Sequence, residues 1–230
     1  SQSEQESLMK QVLKTLLSSD ESMDAGVMLS RISKAKNDGN SLGNPEESTE
    51  GAIMERYQNE MRARNVMDFD DLLVQTVRLL RENEDLREQY QRLFQFVLVD
   101  EYQDTNLLQC EMVDLLAGPG GNLMVVGDDA QSIYSWRGAD VGNILNFGER
   151  YPKAKIYKIE TNYRSVPEIL SLANAAIEVN RGQIRKQLQP DRTGKGMLPA
   201  LVPVDNPSAQ AAFVAQRILE LQDEGVEFSE

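Results

Sequence analysis

Residues Phe94 to Asn106 read FQFVLVDEYQDTN, and the fold turns on this stretch. Six residues, FQFVLV, are short, β-prone and largely apolar, which predicts a strand buried inside a parallel sheet. They run directly into two adjacent carboxylates, Asp100 and Glu101. Polar chemistry is therefore expected at the strand's C-terminal end, where open α/β sheets bind ligands. Such a pair can divide two jobs. Asp100 can hold a hydrated Mg2+, which takes hard oxygen ligands, and Glu101 can orient and deprotonate a water. The plain alternative is two solvated turn carboxylates, and a bare Asp-Glu does not decide between them.

Towards the C-terminus, Thr105 or Asn106 can cap a helix (NLLQCEMVDLLA) that the turn GPGG at 118–121 ends. The apolar run LMVVGDD follows and is strand-like. Strand, helix, turn and strand make a βαβ unit, hence a parallel sheet with the usual right-handed crossover. The second strand also ends in carboxylates, Asp128 and Asp129, followed by AQSIYSWRGAD, which brings an amide, two aromatics and an arginine to the same edge. A further strand is predicted at 155–160 (KIYKIE), ending in TNYRS and a helix from about Pro167 to Val179. Residues 181–196 turn polar and rich in Gly, Arg and Lys, as a linker would. A strand ALVPV at 200–204 and a helix Ser208 to Glu224 then begin a second module.

Upstream the chain is helical. Residues 4–17 place Leu8, Val12, Leu13, Leu16 and Leu17 on one face, and a second helix is expected around Ala25 to Lys36. The stretch NDGNSLGNPEESTEG reads as an exposed loop. A third helix, about Ala52 to Arg64, carries enough polar weight to be expected on the surface. MDFDDLLVQTVRLLRENEDLREQYQRLF then sets Phe69, Leu72, Leu73, Val77 and Leu80 at helical spacing. Asp68 is its N-cap, and a break near Asn83 to Asp85 divides it into two helices.

Composition narrows the function classes. At 230 residues, 40% hydrophobic and 27% charged, the chain is an ordinary globular sequence of one large or two smaller domains. Its 24 basic and 37 acidic residues give a net charge of −13, the wrong sign for gripping nucleic acid along a basic stripe. Contact with DNA would have to rest on stacking or on chain outside these residues. The single cysteine, Cys110, excludes an intramolecular disulfide and fits a reducing cytosol. It lies in a helical pattern, where a partly buried, inert thiol is expected. No histidine is present, which excludes histidine-based acid/base catalysis and histidine-liganded metal. No run approaches the ~18 apolar residues of a membrane span.

VLVDEYQDTN at 97–106, VVGDDAQSIYSWRGAD at 125–140, TNYRS at 161–165 and MDFDDLL at 67–73 together resemble the UvrD/PcrA/Rep family of superfamily 1 DNA helicases, in order and spacing as well as content. The N-terminal part, with ISKAKN at 32–37, resembles that family's 1B insertion. The resemblance implies an α/β fold of the P-loop NTPase (RecA-like) class: an incomplete parallel sheet with an α-helical insertion at the N-terminus. The expected parts are a partial 1B-like insertion at 1–66, the C-terminal half of the first RecA-like motor domain at 67–180, and a linker with the start of the second at 181–230. The activity implied for a full-length parent is ATP-dependent 3'-to-5' unwinding of DNA in repair or replication. ATP and Mg2+ would be its cofactors, single-stranded DNA and duplex junctions its substrates, and repair or replication proteins its partners. No membrane is involved and the location is cytoplasmic.

By the same resemblance Asp100 is the Mg2+ carboxylate and Glu101 activates the attacking water. Gln131 senses the γ-phosphate, Arg164 reaches it, and Tyr163 stacks on adenine. Tyr134 and Trp136 are the aromatics on which bases stack. Arg137 either contacts DNA or braces the loop by pairing with Asp104 or Asp140. Gln103 and Asp104 read as structural or coupling residues. Without the surrounding motif, Trp136 would read as a core residue.

Departures from the family pattern matter as well. Ala130 stands where an acidic residue is common, and Ser135 where Gly or Arg is usual; neither removes a catalytic group. No GxxxxGK[ST] loop occurs, because the one Gly-Lys, at Gly194 and Lys195, is followed by Gly196. A chain without that phosphate cradle is expected to be a fragment that does not hydrolyse ATP alone. Two other readings stay open: the motor part of a helicase-nuclease subunit, and a non-catalytic module that binds DNA or protein.

Overall fold

The structure, a computed structural model, describes residues 2–18, 22–192 and 196–228, with the side chain of Arg137 outside the description. Gly194 and Lys195 also lie outside the described residues. The chain divides into two compact units, 1–157 with 181–185, and 158–180 with 186–230.

The first unit begins with helices α1 (Gln2–Leu16), α2 (Ala25–Asn37) and α3 (Thr49–Ala63). Asp24 and Ser48 accept hydrogen bonds from the amides of Val27 and Gly51, so α2 and α3 start where a side-chain oxygen first satisfies an orphan N–H. Met9, Met28, Ile32, Ile53 and Tyr57 are fully buried between the three helices. Each contributes about 1.5–3 kcal/mol of burial. The third helix is not the surface helix expected from its polar content. Ile53, Tyr57 and Met61 recur every fourth residue, which concentrates its few apolar groups on one buried face.

Helices α4 (Phe69–Glu82) and α5 (Glu84–Leu93) divide at Asn83, whose side chain caps the second by accepting from Leu86 N. Asp68 caps α4 in a reciprocal box, its Oδ1 accepting from Asp71 N at 2.7 Å and its amide donating to Asp71 Oδ2. The expected apolar stripe is buried only in part. Val77 and Leu80 are inside, while Phe69 and Leu72 are 83% and 55% exposed.

Strand β1 (Phe96–Val99), helix α6 (Leu107–Ala117) and strand β2 (Asn122–Val125) form the predicted unit, and the strands pair in parallel from Phe96↔Asn122 to Val99↔Val125. Asn106 is the cap of α6. Val99 and Val125 pack with Tyr102, Cys110 and Ile144. The thiol is fully rather than partly buried. The opposite face carries Phe96 and Leu98 at 69% and 71% exposed, so the strand is covered on one face and not on the expected two. Short helices α7 (Gly142–Leu145) and α8 (Phe147–Arg150) close the unit, with the Phe147 ring edge-on to Tyr102.

In the second unit, β3 (Thr161–Asn162) pairs in parallel with β4 (Gln189–Pro190), and α9 (Pro167–Glu178) and α10 (Pro207–Asp223) follow their predicted positions. The predicted strands at 155–160 and 200–204 are not strands. A strand requires a ladder of backbone pairs; Glu160 O accepts from Gln189 N at 2.7 Å just before β3, but neither segment forms a strand among the described residues. Tyr157, Ile159 and Leu201 stand 80%, 79% and 94% exposed.

Candidate active site

The acidic turn is held where the two strands of the first unit end. Val126 N donates to Val99 O at 2.8 Å, and Tyr102 N donates back to Val126 O at 2.9 Å, so the turn after β1 is sewn to the residue after β2. Between these bonds Glu101 takes φ 51° and ψ 41°, the left-handed region that non-glycine residues seldom occupy. Asp100 Oδ1 accepts from Glu101 N at 2.9 Å and supports that turn. Backbone held in a sparsely populated region costs of order 1–3 kcal/mol and marks sites where side-chain placement matters. Both carboxylates face solvent.

Gln103, 1% exposed, lies beneath them. Its Nε2 donates to Glu101 Oε2 at 2.7 Å, and its Oε1 accepts from Asp128 N at 2.9 Å. Asp128 in turn caps the following turn through Ala130 N and accepts from Gln131 Nε2 at 2.8 Å. The structure therefore brings Asp100, Glu101 and Gln131 to one edge, as predicted, joined through a residue expected to be only structural or coupling. Gly127 leaves room for this contact: a Cβ there would lie 2.5 Å from Gln103 Oε1 and 2.7 Å from Ile144 Cδ1, so one of those side chains would have to shift.

The aromatic loop hangs from the same turn. Thr105 O accepts from Asp140 N at 3.0 Å and from Asn143 Nδ2 at 2.9 Å, fixing the far end of the segment that carries Tyr134 and Trp136. Their ring centroids are 6.5 Å apart and tilted by 51°. Trp136 is 72% exposed, which sets aside the core reading. Arg137 ends a 3-10 turn, Ser135–Arg137; the roles predicted for its side chain fall outside the described residues.

Below the turn, burial raises the Tyr102 phenol well above its ordinary range and a hydrogen bond with Cys110 adds to this, so it stays a neutral anchor. Asp114 takes Arg150 and the Tyr151 hydroxyl on the same side.

Tyr163 and Arg164 belong to the second unit, on the turn between β3 and α9. Asn162 Oδ1 accepts from Arg164 N at 3.0 Å and Ser165 N at 2.8 Å, and Tyr163 O accepts from Arg192 Nε at 3.1 Å. Both side chains are exposed.

Residues 1–152 match the family described as the UvrD/REP helicase N-terminal domain. The chain belongs to this family. It is 38% identical over 228 residues to ATP-dependent DNA helicase PcrA of Leuconostoc citreum, covering 96% of this chain and 30% of that protein. To ATP-dependent DNA helicase PcrA of Bacillus subtilis (strain 168) it is 38% identical over 232 residues, 96% of this chain and 31% of the relative. DNA helicase II of Escherichia coli (strain K12) is 42% identical over 185 residues, 80% of this chain and 26% of the relative. The chain thus spans about a third or less of the length of these relatives.

Within this UvrD/REP domain no group of three or more Asp, Glu, Cys or His among the described residues is arranged to hold a metal. That donor set still fits Mg2+, which keeps most of its waters and takes one or two carboxylates together with substrate phosphates. Asp100, exposed at the strand end beside Glu101, is such a carboxylate.

Lys36 and Asn37 were legible in sequence only as part of the ISKAKN resemblance. Lys36 follows Met28 and Ile32 at four-residue spacing, and a lysine in line with an apolar stripe is the signal that could have placed it inside. Asn37 Oδ1 accepts from Asn106 Nδ2 at 2.7 Å, which ties the end of α2 to the cap of α6 and so to the end of the acidic turn.

Proposed function

We propose that this chain is part of an ATP-dependent 3'-to-5' DNA helicase, and that the edge carrying Asp100, Glu101 and Gln131 is the catalytic half of its ATPase site. The observation that supports this most is the Glu101 carboxylate at the end of β1, held by Gln103 next to Asp100, with Oε1 taking no hydrogen bond among the described residues. A carboxylate so fixed and half satisfied can accept a proton from a water aimed at the γ-phosphorus.

Asp100 would hold Mg2+ there, which when bound neutralises charge on the phosphates. Glu101 orients the water and takes its proton as the new bond to phosphorus forms and the bridging bond to the diphosphate breaks. Gln131 reads the γ-phosphate. Arg164 and Tyr163, on the strength of the TNYRS motif, serve the γ-phosphate and the adenine. Tyr134 and Trp136 stack on bases of single-stranded DNA, and Arg137 contacts DNA or braces the loop.

In this reading 1–66 is the partial helical insertion, 67–180 the C-terminal half of a RecA-like domain, and 181–230 the linker and start of a second. The apolar face left open by Phe96, Leu98 and Met124 is the side on which further sheet and helix would pack. The relatives' names carry the activity; their repair and replication setting, the cytoplasmic location and the duplex-junction substrate are part of the same proposal. No helix among the described residues is long and apolar enough to cross a membrane.

The test is ATP hydrolysis stimulated by single-stranded DNA. The 230-residue chain, which holds no GxxxxGK[ST] loop, is expected to show none, and the full-length protein is expected to show it. Robust turnover by the chain alone, abolished by Glu101→Gln, contradicts the reading of these residues as only half of the site, and a full-length protein without DNA-stimulated turnover contradicts the helicase proposal.

A further inference from the structure

We propose that Gln103 is the positioning residue that makes the aim of Glu101 depend on the loop bearing Gln131 and Trp136. The inference rests on Glu101 being the base that receives the water's proton.

Gln103 is 1% exposed and lies between two loops that 25 residues separate in sequence. Its side-chain amide donates to the carboxylate Oε2 of Glu101 and accepts from the N–H of Asp128 within one rigid plane. The amide's orientation follows from these partners, since the flipped form would set oxygen against oxygen and N–H against N–H. A second donation, to Asp104 Oδ2 at 3.4 Å, is long and adds little. The main chain of Gln103 is engaged as well, its carbonyl accepting from Ser132 Oγ at 3.4 Å. With Gly127 leaving room for the close approach, the linkage runs Glu101 carboxylate, Gln103 amide, Asp128 N–H, and from Asp128 Oδ2 to Gln131. A shift of the Gln131 loop moves the Asp128 amide and with it the donor that fixes Glu101. One oxygen of Glu101 is thus occupied by the protein and the other is left for water.

The experiment compares Gln103→Ala, Gln103→Glu and Glu101→Gln in the full-length protein. It measures kcat and KM for ATP, with and without single-stranded DNA. Gln103→Ala is expected to lower DNA-stimulated kcat about 10- to 100-fold, as loss of an orienting partner does. KM for ATP should stay within about twofold, because no phosphate contact is removed. Stimulation by DNA should fall more than basal turnover.

Gln103→Glu is isosteric and keeps an acceptor for Asp128 N–H, but it sets a carboxylate against Glu101. It is therefore expected to lower DNA-stimulated kcat as well, with KM for ATP again within about twofold. Should Gln103→Ala not fold, the isosteric variant carries the test alone. An inactive Glu101→Gln beside Gln103 variants with wild-type kcat and wild-type stimulation by DNA overturns this inference while leaving the proposed function standing. A kcat loss that only follows lowered thermal stability, with basal and DNA-stimulated turnover falling alike, also overturns it. Full activity in Glu101→Gln removes the proposed function and this inference together.

Discussion

Lys36 Nζ lies 2.7 Å from Asp68 Oδ2, with only 4% of either side chain exposed. The same ammonium is 2.7 Å from Asp71 Oδ1 and 5.7 Å from the centre of the Tyr57 ring. Two carboxylates against one ammonium would leave excess negative charge. Both acids, however, form the capping box of α4, where the helix N-terminus supplies partial positive charge. This buried pair joins the end of α2 to the start of α4.

Lys36→Met is therefore expected to destabilise the folded chain by roughly 3–5 kcal/mol, since it strands buried carboxylates without their cation. Removing the exposed Arg78–Glu82 pair, with both side chains 62% exposed, should change stability by about 1 kcal/mol or less. Urea unfolding of both variants provides the comparison. Equal effects would mean that the Lys36 pair is not buried in solution.

Burial holds the phenols of Tyr57, Tyr102 and Tyr151 above their ordinary value of 10.0, with help from Asp68 at Tyr57, Cys110 at Tyr102 and Asp114 at Tyr151. A raised pKa means that the folded state keeps protons the unfolded state loses. Stability is then full below the ordinary tyrosine value and declines as pH rises above it. Denaturant unfolding across that alkaline range should show the decline, and Tyr57→Phe should flatten it. A level curve would contradict the burial.

How much of this was legible in sequence depended on whether the cause was local. The β1-α6-β2 unit was, because its apolar runs are bounded by a capping Asn106 and by the Gly118–Gly121 turn, and Asp68 announced the start of α4 in the same way. KIYKIE and ALVPV have strand composition but form no strand among the described residues, because a ladder of backbone pairs is a non-local event. Adjacency revealed Asp100 and Glu101. The left-handed backbone of Glu101 and the Gln103 to Asp128 bond were not visible, since the first depends on the closure of two strands and the second on a contact across 25 residues.

Trp136→Ala in the full-length protein should weaken single-stranded DNA binding by about 1–3 kcal/mol with the slope of log K against log salt almost unchanged, because stacking releases no counterions. The net charge of −13 is the wrong sign for binding a polyanion by charge alone. Oligonucleotide titrations over a range of salt give the answer. Unchanged affinity, or a slope altered by a full phosphate contact, would remove Trp136 from the DNA face.

Arg164→Ala should lower kcat of the full-length protein by roughly 10³-fold or more if its guanidinium meets the charge developing on the γ-phosphoryl group, as arginine fingers do. Steady-state ATP hydrolysis measures it. A loss under about tenfold would reject the role.

The most direct measurement pairs ATP turnover with ATP binding for Glu101→Gln in the full-length protein, with single-stranded DNA saturating. The carboxamide keeps the size of the side chain and removes its capacity to take a proton. kcat should then fall by about 10²-fold or more while the dissociation constant for ATP stays near that of the wild type. Undiminished turnover, or lost nucleotide affinity in place of lost turnover, would contradict the assignment of Glu101 as the base.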